Sequence, residues 1–436
     1  GEAGKVVRYL AGSGGDWDRF RQRVVSIDVP SGLDADTGRV PGCPEPSSSG
    51  APTARLTVTF DSPKPGHYLA QGPQLCGRLR VVDIGLAPFR HLWASSPDPE
   101  HRTRRGLRPA KLSLVELPPK GLEFDHSDPL GLAHPVRTGR LAKDMGHKYS
   151  HGHALILSGR PGRGGAARMT ARGALRIGAG LVTLAVPPGA LQENAARLDA
   201  IMLRSVRDAE TLQALLEDGR LNALGAGPGL GTDERERTLV AAILDTKRPT
   251  VLDADALTLV ARDGALRGRL HDKVVLTPHE GEFARLFPGI ASRLQGPPRH
   301  GEASPEAVAE HLKAMQAQPE TTARAYSKVD AARDAAREAG CMVLLKGPDT
   351  VIASPDGRAA INAAVYERAA PWLATAGSGD VLAGFIAGLL ARGFQPFDAA
   401  CTAAWLHVEC ARSFGPGLIA EDLPEELPKV FRGLGL

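Results

Sequence analysis

A glycine-rich turn directly before a small-residue helix is the strongest chemical signal in the sequence. Gly377-Ser378-Gly379-Asp380 is followed at once by VLAGFIAGLLARG. The glycines permit a tight turn, and the helix after them presents unpaired backbone N–H groups at the positive end of its dipole. We therefore interpret Gly377, Ser378 and Gly379 as an anion hole for a transferred phosphoryl group, with Asp380 as general base toward a substrate hydroxyl. A plain helix N-cap is the alternative role of Asp380.

Two glycines inside that helix support the functional interpretation. Gly384 and Gly388 each cost about 1 kcal/mol relative to Ala in a helix interior. Glycines retained at that cost indicate close packing of backbone or ligand on the helix face that carries them.

A second turn, Lys346-Gly347-Pro348-Asp349-Thr350, joins two strand-like segments. A lysine at a strand end followed by glycine can offer a cation and backbone amides to a diphosphate. Taken alone, a lysine at such a hairpin is more often a solvated corner.

A third turn, Thr277-Pro-His-Glu-Gly-Glu282, ends a strand and begins a helix. His279 and Glu282 lie three residues apart and share a helix face. Glu282 could hold a magnesium ion through water, because Mg²⁺ keeps most of its waters. First-turn carboxylates that favour the helix dipole are the alternative, and two residues do not make a zinc site.

Two further strand ends carry residues of interest. The glycine loop Gly225–Gly231 precedes a helix, as a ligand-approach loop would, although Pro228 interrupts the dinucleotide fingerprint. Asp253 and Asp255 follow another strand. We expect one of them to cap a helix and the other to face the cleft.

Alternating strands and helices must position these turns. From residue 147 onward, β-branched runs such as 153–159 and 181–186 end in Gly, Asp or Pro and alternate with helical segments such as 166–177. The alternation predicts an α/β domain with a parallel sheet covered by helices, and ligands bind such sheets at the carboxyl ends of the strands. We interpret residues 290–328 as a helical surface insertion.

The first 90 residues contain the strand-like runs 24–28, 55–60 and 78–84, but only one weak helical segment, at 16–23. A parallel sheet needs crossover helices, so residues 1–90 resemble part of a domain. A polar stretch follows, and we predict a linker at 91–135 and a second domain at 136–436. The arginines at 102–108 have no interleaved aromatics, which favours a solvated linker over a nucleic-acid site.

Composition and the absence of several common motifs exclude some classes of protein. The chain has 436 residues, a net charge of +4 and five cysteines, none in a C-x-x-C pair. No apolar run reaches the roughly 18 to 20 residues that span a bilayer. G-x-S-x-G, H-E-x-x-H and Walker motifs are absent from the sequence, which disfavours serine hydrolases, zincins and Walker-type ATPases. We expect a cytoplasmic homo-oligomer that binds neither nucleic acid nor membrane.

Seven motifs resemble, in the same order, those of the NAD(P)H-hydrate dehydratases, which are ribokinase-like enzymes. They span about residues 140–415 and read HKYSHGHALILSG, GGAARMTARGALRIGAGLVTLAVPP, GAGPGLG, VLDADAL, LTPHEGEFARL, LLKGPDTVIA and LATAGSGDVLAGFIAGLLARG. The resemblance implies a three-layer α/β/α sandwich. Near the start, VVSIDVPSGLDADTG, LTVTFDSPKPGH and CGRLRVVDIG resemble the last part of the NAD(P)H-hydrate epimerase domain, a partial Rossmann-like α/β fragment.

The resemblance implies an activity and a set of site residues. The substrate would be the S hydrate of NADH or NADPH, phosphorylated on its 6-hydroxyl by ADP or ATP with Mg²⁺, after which phosphate leaves. By position, Lys346 through Thr350 and Gly379 would bind the nucleotide, with Asp380 as base. Ala166, Gly229, His279 and Asp380 would contact the hydrate, and His279 with Glu282 stands where the superfamily has a metal-linked Asn-x-x-Glu.

Departures from the family pattern concentrate at the front of the chain. The epimerase N-N-G-G-D and G-T-G loops have no counterpart, and only Asp28, a hydrate contact, and Ser31, a potassium ligand, match. We therefore expect that the chain begins inside that domain and that epimerase activity is lacking. Two alternatives for the larger part stay open: a small-molecule kinase of the ribokinase superfamily, and a non-catalytic nucleotide-binding protein.

Overall fold

A computed structural model describes six stretches of the chain: residues 24–40, 52–86, 112–115, 140–143, 146–295 and 325–436. The chain divides into two compact units. The smaller contains residues 1–110, 289–331 and 365–367, and the larger contains residues 111–288, 332–364 and 368–436.

Short β-branched runs form the strands in both units. Those of the smaller unit are β1 (Val25–Ile27), β2 (Leu56–Phe60) and β3 (Arg78–Val82), all parallel and in that order. Those of the larger unit are β4 (Leu112–Leu114), β5 (His153–Leu157), β6 (Leu181–Val186), β7 (Met202–Ser205), β8 (Ala223–Ala226), β9 (Thr250–Leu252), β10 (Val274–Leu276), β11 (Met342–Leu345), β12 (Asp349–Ala353) and β13 (Ala359–Ala363).

The strands of the larger unit make one ten-stranded sheet in the order β4-β13-β12-β11-β10-β9-β8-β5-β6-β7. Neighbours are parallel except at β12, which runs antiparallel to both β11 and β13. The α/β class predicted from the alternation is therefore confirmed, and the parallel strands align their carboxyl ends along one edge.

Helices follow most of these strands. They are α1 (Gly72–Cys76), α2 (Gly164–Arg176), α3 (Leu191–Ala195), α4 (Ala209–Leu216), α5 (Glu234–Asp245), α6 (Ala254–Arg262), α7 (Gly264–Arg267), α8 (Glu280–Leu286), α9 (Pro288–Gln295), α10 (Lys328–Ala339), α11 (Ser378–Ala391), α12 (Pro396–Phe414) and α13 (Asp422–Gly433). Within the described residues, none of them is both long enough and apolar enough to cross a membrane.

The sequence patterns did not predict β4 or β7. Strand β4 lies within the stretch interpreted as a linker, 91–135, of which the structure describes residues 112–115, and it pairs in parallel with β13. The predicted helix at 16–23, the arginines at 102–108 and most of the segment 290–328 lie outside the described residues.

Helix α11 lies in the hydrophobic core, and two of its glycines allow it to pack closely against its neighbours. A Cβ built on Gly384 would lie 2.2 Å from the carbonyl oxygen of Thr170, and one on Gly388 would lie 2.2 Å from Cγ2 of Ile177. Both contacts are made by helix α2 and the residue that caps it. The close packing predicted for this helix face is confirmed, and its partners are the backbone of α2 and the side chain of Ile177.

Candidate functional site

Four consecutive strand ends are joined to one another by backbone hydrogen bonds. The amide of Asp253, after β9, donates to Ala226 at the end of β8 (3.1 Å). Thr277, after β10, donates to Leu252 (3.1 Å), and Lys346, after β11, donates to Pro278 (2.8 Å). The predicted turns at Thr277–Glu282 and Lys346–Thr350 are therefore neighbours, and their relative positions are held by the backbone.

The Gly377–Asp380 turn places the start of helix α11 at this edge. Gly377 has φ 88°, in the left-handed region, and a Cβ there would lie 2.6 Å from Cε of Met169. The backbone conformation favours glycine, whereas the Met169 contact is made by the end of a flexible side chain that can shift. Within the described part of the chain, the amides of Gly379 and Asp380 have no protein acceptor, as expected for the first turn of a helix. They are available to an anion, whereas the amide of Ser378, also predicted to belong to the anion hole, donates to the carbonyl of Thr375 at 3.4 Å.

The surroundings of the Asp380 carboxyl group raise its pKa and make it a stronger proton acceptor. Burial, reinforced by the negative charges of Asp253 and Asp255, raises its pKa to about 6, although the positive charge of Lys346 opposes the shift. A base is most effective when its pKa lies near the working pH. At neutral pH this carboxylate is ionised and more basic than an ordinary aspartate.

Lys346 forms a buried ion pair that the sequence did not predict. Its Nζ lies 2.7 Å from Oδ1 of Asp253, whose side chain is only 2% exposed, and 3.8 Å from Oε2 of Glu282. A Cβ on Gly379 would lie 3.5 Å from that Nζ and 3.8 Å from Oδ2 of Asp253. The lysine and its aspartate thus lie against the first turn of α11.

The two candidate aspartates after β9 have different roles. Asp253 pairs with Lys346, whereas Oδ2 of Asp255 accepts the amide of Gly231 at 2.9 Å. Asp255 therefore ties the start of α6 to the glycine loop. Asp253 occupies the N-cap position of α6 without a side-chain cap hydrogen bond, so its side chain does not make the predicted cap and faces the lysine instead.

The glycine loop lies against helix α2. A Cβ on Gly229 would lie 2.5 Å from the carbonyl oxygen of Arg163 and 3.5 Å from Cβ of Ala166. Gly229 has φ 64°. The structure thus places Ala166 and Gly229, two residues expected to contact the hydrate, side by side.

His279 and Glu282 form a capping box at the start of α8. Nδ1 of His279 accepts the amide of Gly281 (3.0 Å), and Oε2 of Glu282 accepts the amide of His279 (2.9 Å). The His279 side chain is 57% exposed and that of Glu282 is 8% exposed. Both residues thus have a local structural role, and the exposed imidazole also remains accessible to a ligand.

The Lys346–Thr350 turn is closed by its own side chains and backbone. Oγ1 of Thr350 donates to the carbonyl of Gly347 at 2.7 Å. The carbonyl of Pro348 accepts the amide of Ala364 at 2.8 Å, and Asp349 begins β12. The hairpin that carries Lys346 is consequently held in one shape before any ligand arrives.

The donor set suits magnesium that arrives with a nucleotide. No group of three or more His, Cys, Asp or Glu among the described residues has the arrangement of a metal site. Mg²⁺, however, keeps several waters and uses one or two carboxylates plus substrate phosphates. Asp253, Glu282 and Asp380 supply hard oxygen donors around Lys346, so the residues present fit a hydrated ion.

Asp28 and Ser31 lie in the smaller unit. Oδ1 of Asp28 accepts Nζ of Lys64 at 2.5 Å and Oγ1 of Thr59 at 2.7 Å, and the lysine holds the pKa of Asp28 below its usual range. Ser31 is exposed. The neighbouring Asp34 uses Oδ1 to accept the amides of residues 36 and 37. Both carboxylates therefore accept hydrogen bonds within the smaller unit, and potassium binding at Ser31 stays a prediction.

Comparison with solved structures finds proteins of the same fold. A dehydratase from Bacillus subtilis, described as ADP/ATP-dependent NAD(P)H-hydrate dehydratase and crystallised with ATP and Mg²⁺, is 27% identical, with a TM-score of 0.51 over 69% of this chain and 96% of its own. A ribokinase-like protein from Enterococcus faecalis (23% identity, TM-score 0.50) shares the fold. The class of fold is therefore ribokinase-like α/β.

Sequence comparison then identifies the family. A family model described as NAD(P)H-hydrate dehydratase matches residues 154–429, and one described as the YjeF-related protein N-terminus matches residues 6–66. The bifunctional NAD(P)H-hydrate repair enzyme of Moorella thermoacetica is 35% identical over 96% of this chain and 68% of its own length. That of Mycobacterium tuberculosis is 32% identical over 86% of this chain and 60% of its own. The chain belongs to the NAD(P)H-hydrate dehydratase family.

Proposed function

We propose that this chain dehydrates the S hydrate of NADH or NADPH, with ADP or ATP as phosphoryl donor. One observation carries the proposal: three features lie together at the carboxyl ends of the strands. They are the carboxylate of Asp380, the open amides of Gly379 and Asp380, and the buried Lys346–Asp253 ion pair. Membership of the dehydratase family supports the hydrate as the substrate class.

In this proposal Asp380 removes the proton of the 6-hydroxyl. The freed oxygen attacks the terminal phosphorus of the nucleotide, and the bond from that phosphorus to the bridging oxygen breaks. The open amides of Gly379 and Asp380 receive the charge that develops on the phosphoryl oxygens. The C6–O bond then breaks, and the leaving phosphate takes up the proton held by Asp380. The C5 proton passes to water, which forms the C5=C6 double bond and restores the dihydronicotinamide ring.

The remaining predicted residues hold the two substrates. Lys346 through Thr350 and Gly379 would bind the nucleotide, since the hairpin presents a positioned ammonium beside the first turn of α11. Ala166, Gly229 and His279 would contact the hydrate. Magnesium, when bound with the nucleotide, would neutralise phosphate charge, and Glu282 is the carboxylate we propose to hold it through water.

Recovery of NADH absorbance tests the proposal. The protein is mixed with purified S hydrate, Mg²⁺ and either ADP or ATP, and omission of the nucleotide is the control. We expect recovery in proportion to protein and dependent on nucleotide. A small-molecule kinase would consume ATP with no NADH formed from the hydrate, and a non-catalytic protein would do neither, so either result would contradict the proposal.

Nucleotide binding is measured separately. A ligand that binds only the folded chain stabilises it by mass action, so Mg·ATP should raise the melting temperature. Absence of any shift at saturating nucleotide would count against a nucleotide site even if turnover were slow.

A further inference from the structure

A buried histidine of helix α12 contacts the first turn of α11. Nε2 of His407 lies 2.8 Å from the carbonyl oxygen of Ser378. The imidazole packs edge-on against Phe385 of α11, with ring centroids 6.2 Å apart and an interplanar angle of 83°. No motif of the sequence drew attention to this residue, and it lies outside the groups that the proposed reaction uses.

The chemistry of this contact fixes the protonation of the ring. A carbonyl oxygen can only accept, so Nε2 of His407 must carry the proton and donate. Burial lowers the pKa of His407 to about 4. The ring is therefore neutral at physiological pH, with its single proton directed at Ser378.

The geometry of the peptide group transmits this contact to the anion hole. The carbonyl of Ser378 and the N–H of Gly379 belong to one planar peptide unit and point in opposite directions. A donor held on the carbonyl therefore fixes the direction of that N–H. It also polarises the peptide group, which strengthens the N–H as a donor.

The opposite side of the turn is held in a comparable way. Oγ1 of Thr170, in helix α2, lies 3.0 Å from the carbonyl oxygen of Asp380 and 3.1 Å from that of Ala166, and its single proton is shared between these two acceptors. The peptide unit of that carbonyl contains the N–H of Val381, which is already bonded to Gly377 (3.2 Å). Thr170 thus anchors the helix start, whereas the peptide that His407 contacts is the one whose N–H is open to a ligand.

We propose that His407 is a positioning residue of the phosphoryl site: by donating to the Ser378 carbonyl it orients and polarises the Gly379 N–H toward the transferred phosphoryl group. The inference rests on the proposed function, because it assigns the Gly379 amide to that group. It adds a residue on α12 to a site otherwise built from strand-end turns and the start of α11.

Two substitutions at one position separate the hydrogen bond from packing. His407→Gln retains a side-chain N–H that reaches close to the position of Nε2, whereas His407→Met fills similar volume without a donor. We expect kcat for NADH recovery to fall about tenfold or more in His407→Met, the range typical of supporting residues. In His407→Gln we expect kcat within about threefold of the parent, with KM for the hydrate little changed in both.

A second buried histidine provides the matched control. His153 begins β5, at the opposite end of that strand from the site, and its Nε2 contacts Oγ1 of Thr183 at 2.7 Å. His153→Met should lower the melting temperature as His407→Met does, yet leave kcat within about threefold of the parent. Turnover is measured at a temperature where circular dichroism shows every variant fully folded.

The outcomes distinguish this inference from the proposed function. A folded His407→Met with parental kcat, or His407→Gln as impaired as His407→Met, would overturn the positioning role while leaving the dehydratase assignment intact. If the parent itself recovers no NADH, the proposed function fails. The role of His407 is then tested by the rise in melting temperature that Mg·ATP causes. A shift that is smaller in His407→Met than in His407→Gln supports the role, and equal shifts refute it.

Discussion

Each of the two units has an aspartate after a parallel strand that is bonded to a lysine, but the two pairs differ in burial. In the larger unit Lys346 and Asp253 have side chains 20% and 2% exposed. In the smaller unit Lys64 and Asp28 are 30% and 48% exposed. Water screens the second pair, whereas the charge of Asp253 acts on Asp380 through protein and raises its pKa. The same residue pair therefore has different consequences according to its burial.

The smaller unit shows that geometry alone does not define a reactive group. Asp28 has φ 65°, a left-handed conformation that is uncommon outside glycine, and its backbone oxygen accepts Nε2 of the buried His67 at 2.8 Å. Such strain is a reason to suspect function. Its carboxylate, however, has a lowered pKa and is a weak base, whereas Asp380 has a raised pKa and an open amide beside it.

The largest expected effect is on turnover. Asp380→Asn keeps the volume and the polarity of the side chain but cannot accept the hydroxyl proton, so kcat should fall about 10²- to 10⁴-fold. The melting shift with Mg·ATP should persist, because the amides of the turn are unchanged. A folded variant that retains turnover within threefold of the parent would remove Asp380 from its role as base.

The next effect is on stability in the larger unit. Lys346→Ala leaves the buried carboxylate of Asp253 without its cation, and breaking a buried pair in this way costs about 3 kcal/mol. Urea unfolding followed by circular dichroism measures the change. The Mg·ATP melting shift should also shrink. A variant with parental stability and a parental shift would show that the pair contributes neither to the fold nor to nucleotide binding.

The smallest effect is expected for the corresponding change in the smaller unit. Lys64→Ala frees a carboxylate that water can solvate, so the loss should stay below about 1 kcal/mol. NADH recovery from the S hydrate should equal that of the parent. A loss as large as that of Lys346→Ala would mean that burial does not explain the difference between the pairs.

Much of the site could be predicted from local sequence. The left-handed backbone of Gly377 favours glycine. The turn around it begins a helix, and the glycines inside that helix predict close packing. Lys346 and His279 could be predicted as site residues because each follows directly after a predicted strand. These features are encoded within a few consecutive residues, which is why patterns detect them.

The other parts of the site depend on contacts between distant segments. Lys346 and Asp253 are 93 residues apart, and they meet because β9, β10 and β11 are neighbours in the sheet. His407 acts on a backbone carbonyl, a partner that leaves no trace in residue type. Strand β4 has three residues, and it gains stability by pairing with β13 rather than from its own propensity.

The pH dependence of kcat/KM tests the central claim, that the buried surroundings of Asp380 make it a base, most directly. Asp380 must be ionised to accept a proton, so kcat/KM should fall about tenfold per pH unit on the acid side of an apparent pKa near 6. Asp253→Asn removes a negative charge that raises this pKa and leaves the charge of Lys346, which lowers it. The pKa of Asp380 therefore falls, and the acid limb of the variant moves to lower pH. A parent whose limb lies near pH 4, where an unperturbed aspartate titrates, or a variant whose limb does not move, would contradict the account.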